Sequence, residues 1–164
     1  MQVMATVAAS WTAPMALQHG GRIPRGVQHQ ETIEVRTRGR TMVDVTREIA
    51  RIVGDSGIRT GLCIVYCPHT SCSLLIQENA DEAVRDDLFA WLERLAPDGD
   101  PRYTHTAEGP DDMPSHLRSA VTRTSETIPV AGGRLALGTW QAIYLAEHRA
   151  RGHSRRLTVH VSGE

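Results

Sequence analysis

Between Thr32 and Ser162 the spacing of apolar residues switches repeatedly between two and about 3.6, which constrains the fold more than any other feature of the chain. Thr32 to Thr37 alternates, with Ile33 and Val35 on one face and Glu34 and Arg36 on the other, as in a half-buried strand. Asp44 then stands as a helix N-cap before Val45, Ile49, Ile52 and Val53 at helical spacing, and Gly54 and Gly57 end the helix. Leu62 to Cys67 is a continuous apolar run that predicts a central strand; Leu74, Leu75 and Ile76 predict another after the His69-Thr70-Ser71 turn. Asp81 caps a second helix with an expected apolar face of Val84, Leu88, Trp91, Leu92 and Leu95. A third helix begins near Asp111-Asp112, with Pro114 in its first turn and Leu117, Ala120 and Val121 as its expected buried side.

The last third is β-rich. Thr127 to Val130 and Arg134 to Leu137 flank Ala131-Gly132-Gly133, a hairpin signal. Gly138 to His148 extends the pattern, and Arg156 to Ser162 closes the chain with Leu157, Val159 and Val161 inward. A length of 164 residues suits one domain. The element order predicts an α+β fold: a single compact domain over residues 31–164, with a mixed, mainly antiparallel sheet and helices packed on it. Residues 1–30 read as a poorly ordered extension. Met1 to Gly21 lacks charge, but Gln2, Ser10, Thr12, Pro14, Gln18 and His19 interrupt it too often for a membrane span or a secretory signal. Trp11 and Met15 are its candidate docking side chains.

Arg and Lys total 18 against 19 acidic residues, and aromatics are 4%, so the chain lacks the basic footprint and stacking platforms of a nucleic-acid binder. Every basic residue is Arg, which excludes Schiff-base lysine chemistry and a P-loop lysine. Cys63, Cys67 and Cys72 are too few for a disulfide framework, and on one strand Cys63 and Cys67 would sit about 13 Å apart. They read as buried free thiols in a reducing, cytoplasmic compartment.

Chemistry concentrates in the histidines. His105, His116 and His148 each have a neighbouring carboxylate in sequence: Glu108, Asp112 and Glu147. Asp112 precedes His116 by four residues, on one helical face, whereas strand alternation sends Glu147 and His148 to opposite faces. Three imidazoles with an open position describe a catalytic zinc-type site, but their spacing matches no local motif such as His-Glu-x-x-His and by itself favours partly buried, hydrogen-bonded histidines. His69-Thr70-Ser71-Cys72-Ser73 and Glu78-Asn79-Ala80-Asp81 could hold an anion at a helix start or simply make turns and caps. In Gly138 to Arg149, Trp140, Ala142, Tyr144 and His148 share one face, and Gln141, Ile143, Glu147 and Arg149 the other. Arg149, Arg151, Arg155 and Arg156 could grip phosphate or form a solvated loop.

His69-Thr70-Ser71, Glu78-Asn79-Ala80-Asp81, Glu108-Gly109-Pro110-Asp111-Asp112-Met113-Pro114-Ser115-His116, Gly138-Thr139-Trp140-Gln141 and Glu147-His148-Arg149 occur in this order. Together they resemble the YjbQ-like family, whose members are often described as secondary thiamine-phosphate synthases. The resemblance covers about residues 31–164. It implies a homotrimeric α+β protein with a polar pocket holding a divalent metal ion, zinc foremost, with magnesium or manganese as alternatives. Carried over by position, His105, His116 and His148 are metal ligands. On the enzyme reading, His69, Thr70, Ser71, Asn79, Gln141 and Arg149 are phosphate or substrate contacts, and Glu78, Asp111 and Asp112 take or give a proton or bind the metal directly. The implied reaction joins a pyrimidine pyrophosphate to a thiazole phosphate, giving thiamine phosphate and pyrophosphate. A metal-dependent phosphate hydrolase and a non-catalytic metal- or metabolite-binding trimer fit the same residues. Thr122-Arg123-Thr124 departs from the family, which often has a Gly before the Ser125 strand.

Overall fold

The computed structural model describes residues 26–164. Residues 1–25, with Trp11 and Met15, lie outside the described residues. The first strand, β1 (Val27–Arg36), starts earlier than the alternation predicts: it pairs with the last strand, β8 (Ser154–Gly163), from Val27 opposite Gly163 to Arg36 opposite Ser154. Residues 27–30 therefore belong to the folded domain rather than to an extension. Their side chains are mostly polar and outward, so apolar patterning does not reveal them.

Among the described residues, eight strands form two sheets. The larger has the order β1, β8, β3 (Thr60–Tyr66), β5 (Ser125–Ala131), β6 (Arg134–Leu135). The smaller has the order β2 (Thr41–Asp44), β7 (Gln141–Glu147), β4 (Cys72–Glu78). Every pairing among these named strands is antiparallel. Gly132 (φ 60°) and Gly133 (φ 76°) form the turn joining β5 to β6; two successive positive φ angles are what a type I′ hairpin requires.

The main core lies between the sheets. Val35, Cys63, Val65, Ile128, Val130, Leu157, Val159 and Val161 meet Cys72, Leu74, Ile143 and Leu145, joined by Ile49, Ile52 and Val53 of helix α1 (Thr46–Asp55). The start of α1 is stitched to β7: Ile143 N–H donates to Thr46 Oγ1 (2.8 Å) and Val45 N–H to the Ile143 carbonyl (2.9 Å). Asp44 accepts from the Thr46 N–H (2.9 Å) but lies one residue outside the cap position, which Val45 occupies.

A second, smaller core of Met42, Ala142, Tyr144 and Ala146 covers the other face of the small sheet under Leu88 and Phe89 of α2 (Glu82–Leu95). Thus β7 is buried on both faces, and its apolar residues show no alternation. Asp81 caps α2 as expected, accepting from the Ala83 N–H (2.9 Å). The inward stripe is rotated from the expected one: Leu88, Phe89 and Leu92 face the sheet, while Trp91 and Leu95 are about half exposed (48% and 52%).

Helix α3 (Asp112–Val121) departs further. Its buried residues are Asp112, Pro114, Ser115, Arg118 and Ser119, while Ala120 and Val121 are exposed. Polar groups hold it instead of oil. Arg118, 1% exposed, donates to the Ala96 carbonyl at the end of α2 (2.6 Å), to Asp98 (2.9 Å) and to the His148 carbonyl (3.5 Å). Ser119 Oγ donates to the Cys72 carbonyl (3.2 Å).

Candidate functional site

Helix geometry brings Asp112 and His116 together, one turn apart on α3. The loop ahead of α3 adds His105. Asp112 Oδ2 lies 2.8 Å from His105 Nε2 and 3.4 Å from His116 Nε2, and the two rings sit 5.5 Å apart. One ligand atom from each of the three residues lies within 4.8 Å of the other two. Asp112 is buried (2% exposed), whereas the imidazoles reach solvent (49% and 32%).

Two contacts orient the cluster. His116 Nδ1 lies 2.9 Å from the Thr70 carbonyl; a carbonyl only accepts, so Nδ1 carries a proton, and in the neutral ring Nε2 is the free nitrogen and faces Asp112. The second contact is Arg149, whose guanidinium holds Asp112 Oδ1, Asp111 Oδ2 (3.1 Å) and the Glu108 carbonyl (2.8 Å). Asp111 also accepts the Ala150 N–H (2.8 Å). Burial pushes the Asp111 carboxyl up, but the Ala150 N–H and Arg149 outweigh it and hold the group below the usual carboxylate range.

Behind this layer lies a fully buried ion pair. Arg155 donates to both oxygens of Glu147 (2.7 and 2.6 Å) and to Ser71 Oγ (3.1 Å), and Thr37 Oγ1 donates to Glu147 (2.9 Å). Burial alone would raise Glu147; hydrogen bonds from Arg155, the Arg149 N–H and Thr37 keep it lowered. The pair ties β8 and the Ser71 turn to the end of β7, from which Arg149 reaches the aspartates.

The sequence-derived residues separate into groups. His105 and His116 converge, with Asp112 completing the set. His148 does not join them. It is fully buried on the opposite face of β7, with Nε2 sharing a hydrogen bond with Ser73 Oγ (2.8 Å) and its ring edge-on to Phe89 (6.5 Å). Burial, then Arg118, pushes it down to about 4, so it is a neutral core imidazole. Asp112 sits with His105 and His116, and Asp111 is held by Arg149 and the Ala150 N–H. Arg149 is 6% exposed and holds three acceptors beside the cluster.

His69 accepts the Arg156 N–H (2.9 Å), and burial, followed by Arg155 and Arg156, lowers its pKa. His69, Thr70 and His116 line a cavity of about 320 Å³ with Ser119 and Thr124; on the other side, Tyr103, His105 and Thr106 border one of about 400 Å³. Glu78, Asn79 and Gln141 sit elsewhere. Glu78 pairs with Gln141 six residues along the ladder from the Cys72–Glu147 pair, about 20 Å away within one chain. Glu78 accepts the N–H groups of Ala80 and Asp81, Gln141 accepts the Gly138 N–H, and Asn79 borders a separate cavity of about 430 Å³ with Asp44, Thr46 and Arg47. Turn and cap chemistry accounts for Glu78 and Gln141. The Glu147–Arg155 pair was not singled out from sequence; an acidic residue ending an otherwise apolar strand was its signal.

Two imidazoles and one carboxylate, with remaining sides open, suit a divalent ion of the zinc, iron or manganese type. The described residues contain no helix long and apolar enough to cross a membrane.

The sequence model of the UPF0047 protein YjbQ-like family matches residues 31–164. A UPF0047 protein of Synechocystis sp. is 52% identical over 137 residues, covering 84% of this chain and 93% of that protein. The UPF0047 protein YjbQ of Escherichia coli O157:H7 is 41% identical, covering 83% and 99%. Among solved structures, a YbjQ-like protein of unknown function from Sulfolobus solfataricus superposes with a TM-score of 0.78 at 25% identity, covering 85% of this chain and all of that one. A conserved hypothetical protein of Thermus thermophilus superposes with a TM-score of 0.70 at 35% identity, covering 79% and 97%. With the family match spanning the folded domain and relatives aligned along nearly their whole length, the chain belongs to the YjbQ-like UPF0047 family.

Proposed function

We propose that this protein is a divalent-metal-dependent enzyme acting on a phosphorylated small molecule, with thiamine-phosphate synthesis the first reaction to test. One observation carries the reading: His116 is locked by the Thr70 carbonyl into the tautomer whose free Nε2 faces Asp112 and His105, beside cavities open to solvent. A ligand imidazole commonly donates its other N–H to such an acceptor.

His105, Asp112 and His116 would hold the ion. A divalent cation at such a site supplies charge neutralisation for a pyrophosphate leaving group and polarises its oxygens. The chain's own groups do the rest. Arg149 fixes the Asp112 carboxylate and balances the charge of Asp111. Thr70 sets the His116 ring, and the Glu147–Arg155 pair holds the Ser71 turn that carries Thr70. His69 and Thr70 border the cavity in which a substrate would lie. The half-exposed Trp91 and Leu95 and the exposed Val121 support self-association, with the homotrimer as the proposed assembly. Three free thiols support a cytoplasmic setting.

Elemental analysis of untagged protein tests the ligand set. Wild type and His148→Gln should retain stoichiometric metal, and His116→Ala and Asp112→Asn should lose it; retention in all four overturns the site. Turnover of the pyrimidine pyrophosphate with the thiazole phosphate, with Mg²⁺ or Zn²⁺, then tests the chemistry. Thiamine phosphate above the His116→Ala background supports the synthase. Release of phosphate without coupling shows a hydrolase, and bound metal without turnover of either kind shows a binding protein.

A further inference from the structure

All three cysteines lie in the main core, and the proposed chemistry uses none of them. Cys63 is an ordinary buried thiol, pushed up to about 11 by burial. Cys67 and Cys72 stand at either end of the turn that carries His69, Thr70 and Ser71, and their sulfurs are 3.3 Å apart. Both are fully buried in the main core, yet their backbones are bonded to the walls of the cavity beside His116: the Cys67 N–H donates to the Thr124 carbonyl (2.8 Å) and Ser119 Oγ to the Cys72 carbonyl (3.2 Å). Ser119 and Thr124 border that cavity, so a small oxidant entering it meets residues bonded to both cysteine backbones.

We propose that Cys67 and Cys72 are a redox pair, closed to a disulfide by a hydroperoxide, and that closure moves the Thr70 carbonyl on which His116 is aligned. The turn has only Pro68, His69, Thr70 and Ser71 between the sulfur-bearing residues. Bringing the sulfurs to bonding distance shortens their separation by roughly 1 Å, a change shared between the two cysteine side chains and the short turn that joins them. Thr70 lies at its middle.

The two thiols have different roles. Cys67 is held below the ordinary thiol range by the hydrogen bond from Cys72, against the opposing effect of burial, with the His69 N–H assisting; Cys72 is pushed up by the same contact and by burial. Within the proposed pair Cys67 is the attacking sulfur, its S–H donating to the Cys72 carbonyl (3.7 Å) and its sulfur 3.3 Å from that of Cys72. Its thiolate attacks one oxygen of hydrogen peroxide, the O–O bond breaks, and the other oxygen departs as hydroxide, which becomes water with the proton Cys67 gave up. The resulting sulfenic acid is attacked by the Cys72 sulfur: the S–S bond forms, the S–O bond breaks, and a second water leaves with the Cys72 proton. Two thiols are oxidised by two electrons and one peroxide is reduced to two waters. The proposal concerns the geometry of His116 and stands independently of any bound metal.

The test uses the full-length protein under native conditions. Reduced protein is treated with hydrogen peroxide, then denatured, alkylated, and cleaved after Arg59, Tyr66 and Arg85, which separates Cys63 from the other two. The peptide containing Cys67 and Cys72 should be unalkylated and two hydrogens lighter, while Cys63 is fully alkylated. The His116 ring resonances, followed by NMR, should move on oxidation and return with dithiothreitol. Peroxide-treated Cys72→Ser should show neither change, and Cys63→Ser should behave as wild type. Full alkylation of Cys67 and Cys72, oxygenation of Cys67 without a cross-link, or a cross-link that leaves the His116 resonances unmoved would each overturn the proposal. The wild-type comparison of reduced and oxidised protein needs no variant to fold.

Discussion

His148 and the Glu147–Arg155 pair are neighbours in sequence with opposite electrostatic problems. His148 is kept neutral in the core. Its value in the folded chain is about 4, below the ordinary 6.5, so between those limits the unfolded chain binds a proton that the native chain does not. Stability is therefore complete above about pH 6.5 and falls as the pH drops toward 4, by about 3 kcal/mol in all. Urea unfolding of wild type and His148→Gln at pH 7 and pH 4.5 should show a markedly smaller pH loss in the variant. The adjacent Glu147 is kept charged by Arg155. Arg155→Met leaves that carboxylate buried without its counter-charge and should cost about 3–5 kcal/mol. The double variant Glu147→Leu with Arg155→Met should recover much of this loss, because it removes the uncompensated charge; urea midpoints of the two variants decide the point.

At the level of elements, local chemistry proved more legible than packing direction. Asp81 was readable as a cap because a carboxylate before a helix has one evident use; Asp81→Ala should cost about 1 kcal/mol, seen as a lower thermal midpoint. The Gly132-Gly133 hairpin was readable because two positive φ angles in a row demand glycine-like residues. The inward faces of α2 and α3 were misjudged for a shared reason. Hydrophobic periodicity assumes that apolar residues point at the core, but α3 seats Arg118, Ser115 and Ser119 against backbone carbonyls and leaves Ala120 and Val121 outside. The Asp112–His116 pairing was visible as a helical step of four. His105 joins them through Asp112 rather than through its sequence neighbour Glu108, and no local pattern could show that His148, at the end of a strand buried on both faces, is turned away from them. Nor could spacing reveal that Glu78 and Gln141 serve turns at the far end of the β4–β7 ladder, about 20 Å from the Cys72–Glu147 pair.

The molecule as a whole is a five-stranded sheet, a core, a three-stranded sheet and a helical layer that covers the last sheet incompletely. The proposed homotrimer would account for the apolar side chains left in that outer layer. Sedimentation velocity should give a particle of three times the chain mass, and Trp91→Glu with Leu95→Glu should shift it toward the single chain; a monomeric wild type would remove the proposed assembly.

The seam beneath α3 is fastened by guanidinium, hydroxyl and carbonyl groups, whereas the space between the sheets is hydrocarbon. Exposing apolar surface raises heat capacity and exposing polar surface lowers it, so opening the two regions should respond differently to temperature. The free energy of opening between the sheets should follow a pronounced dome, weakening on cooling as well as on heating. That of releasing α3 should vary along a nearly straight line. Amide hydrogen exchange measured from 5 to 45 °C, roughly the range over which such curvature is visible, should separate the two. A chilled sample should then loosen first around β3 and β8, while the corner that bears His116 keeps its protection.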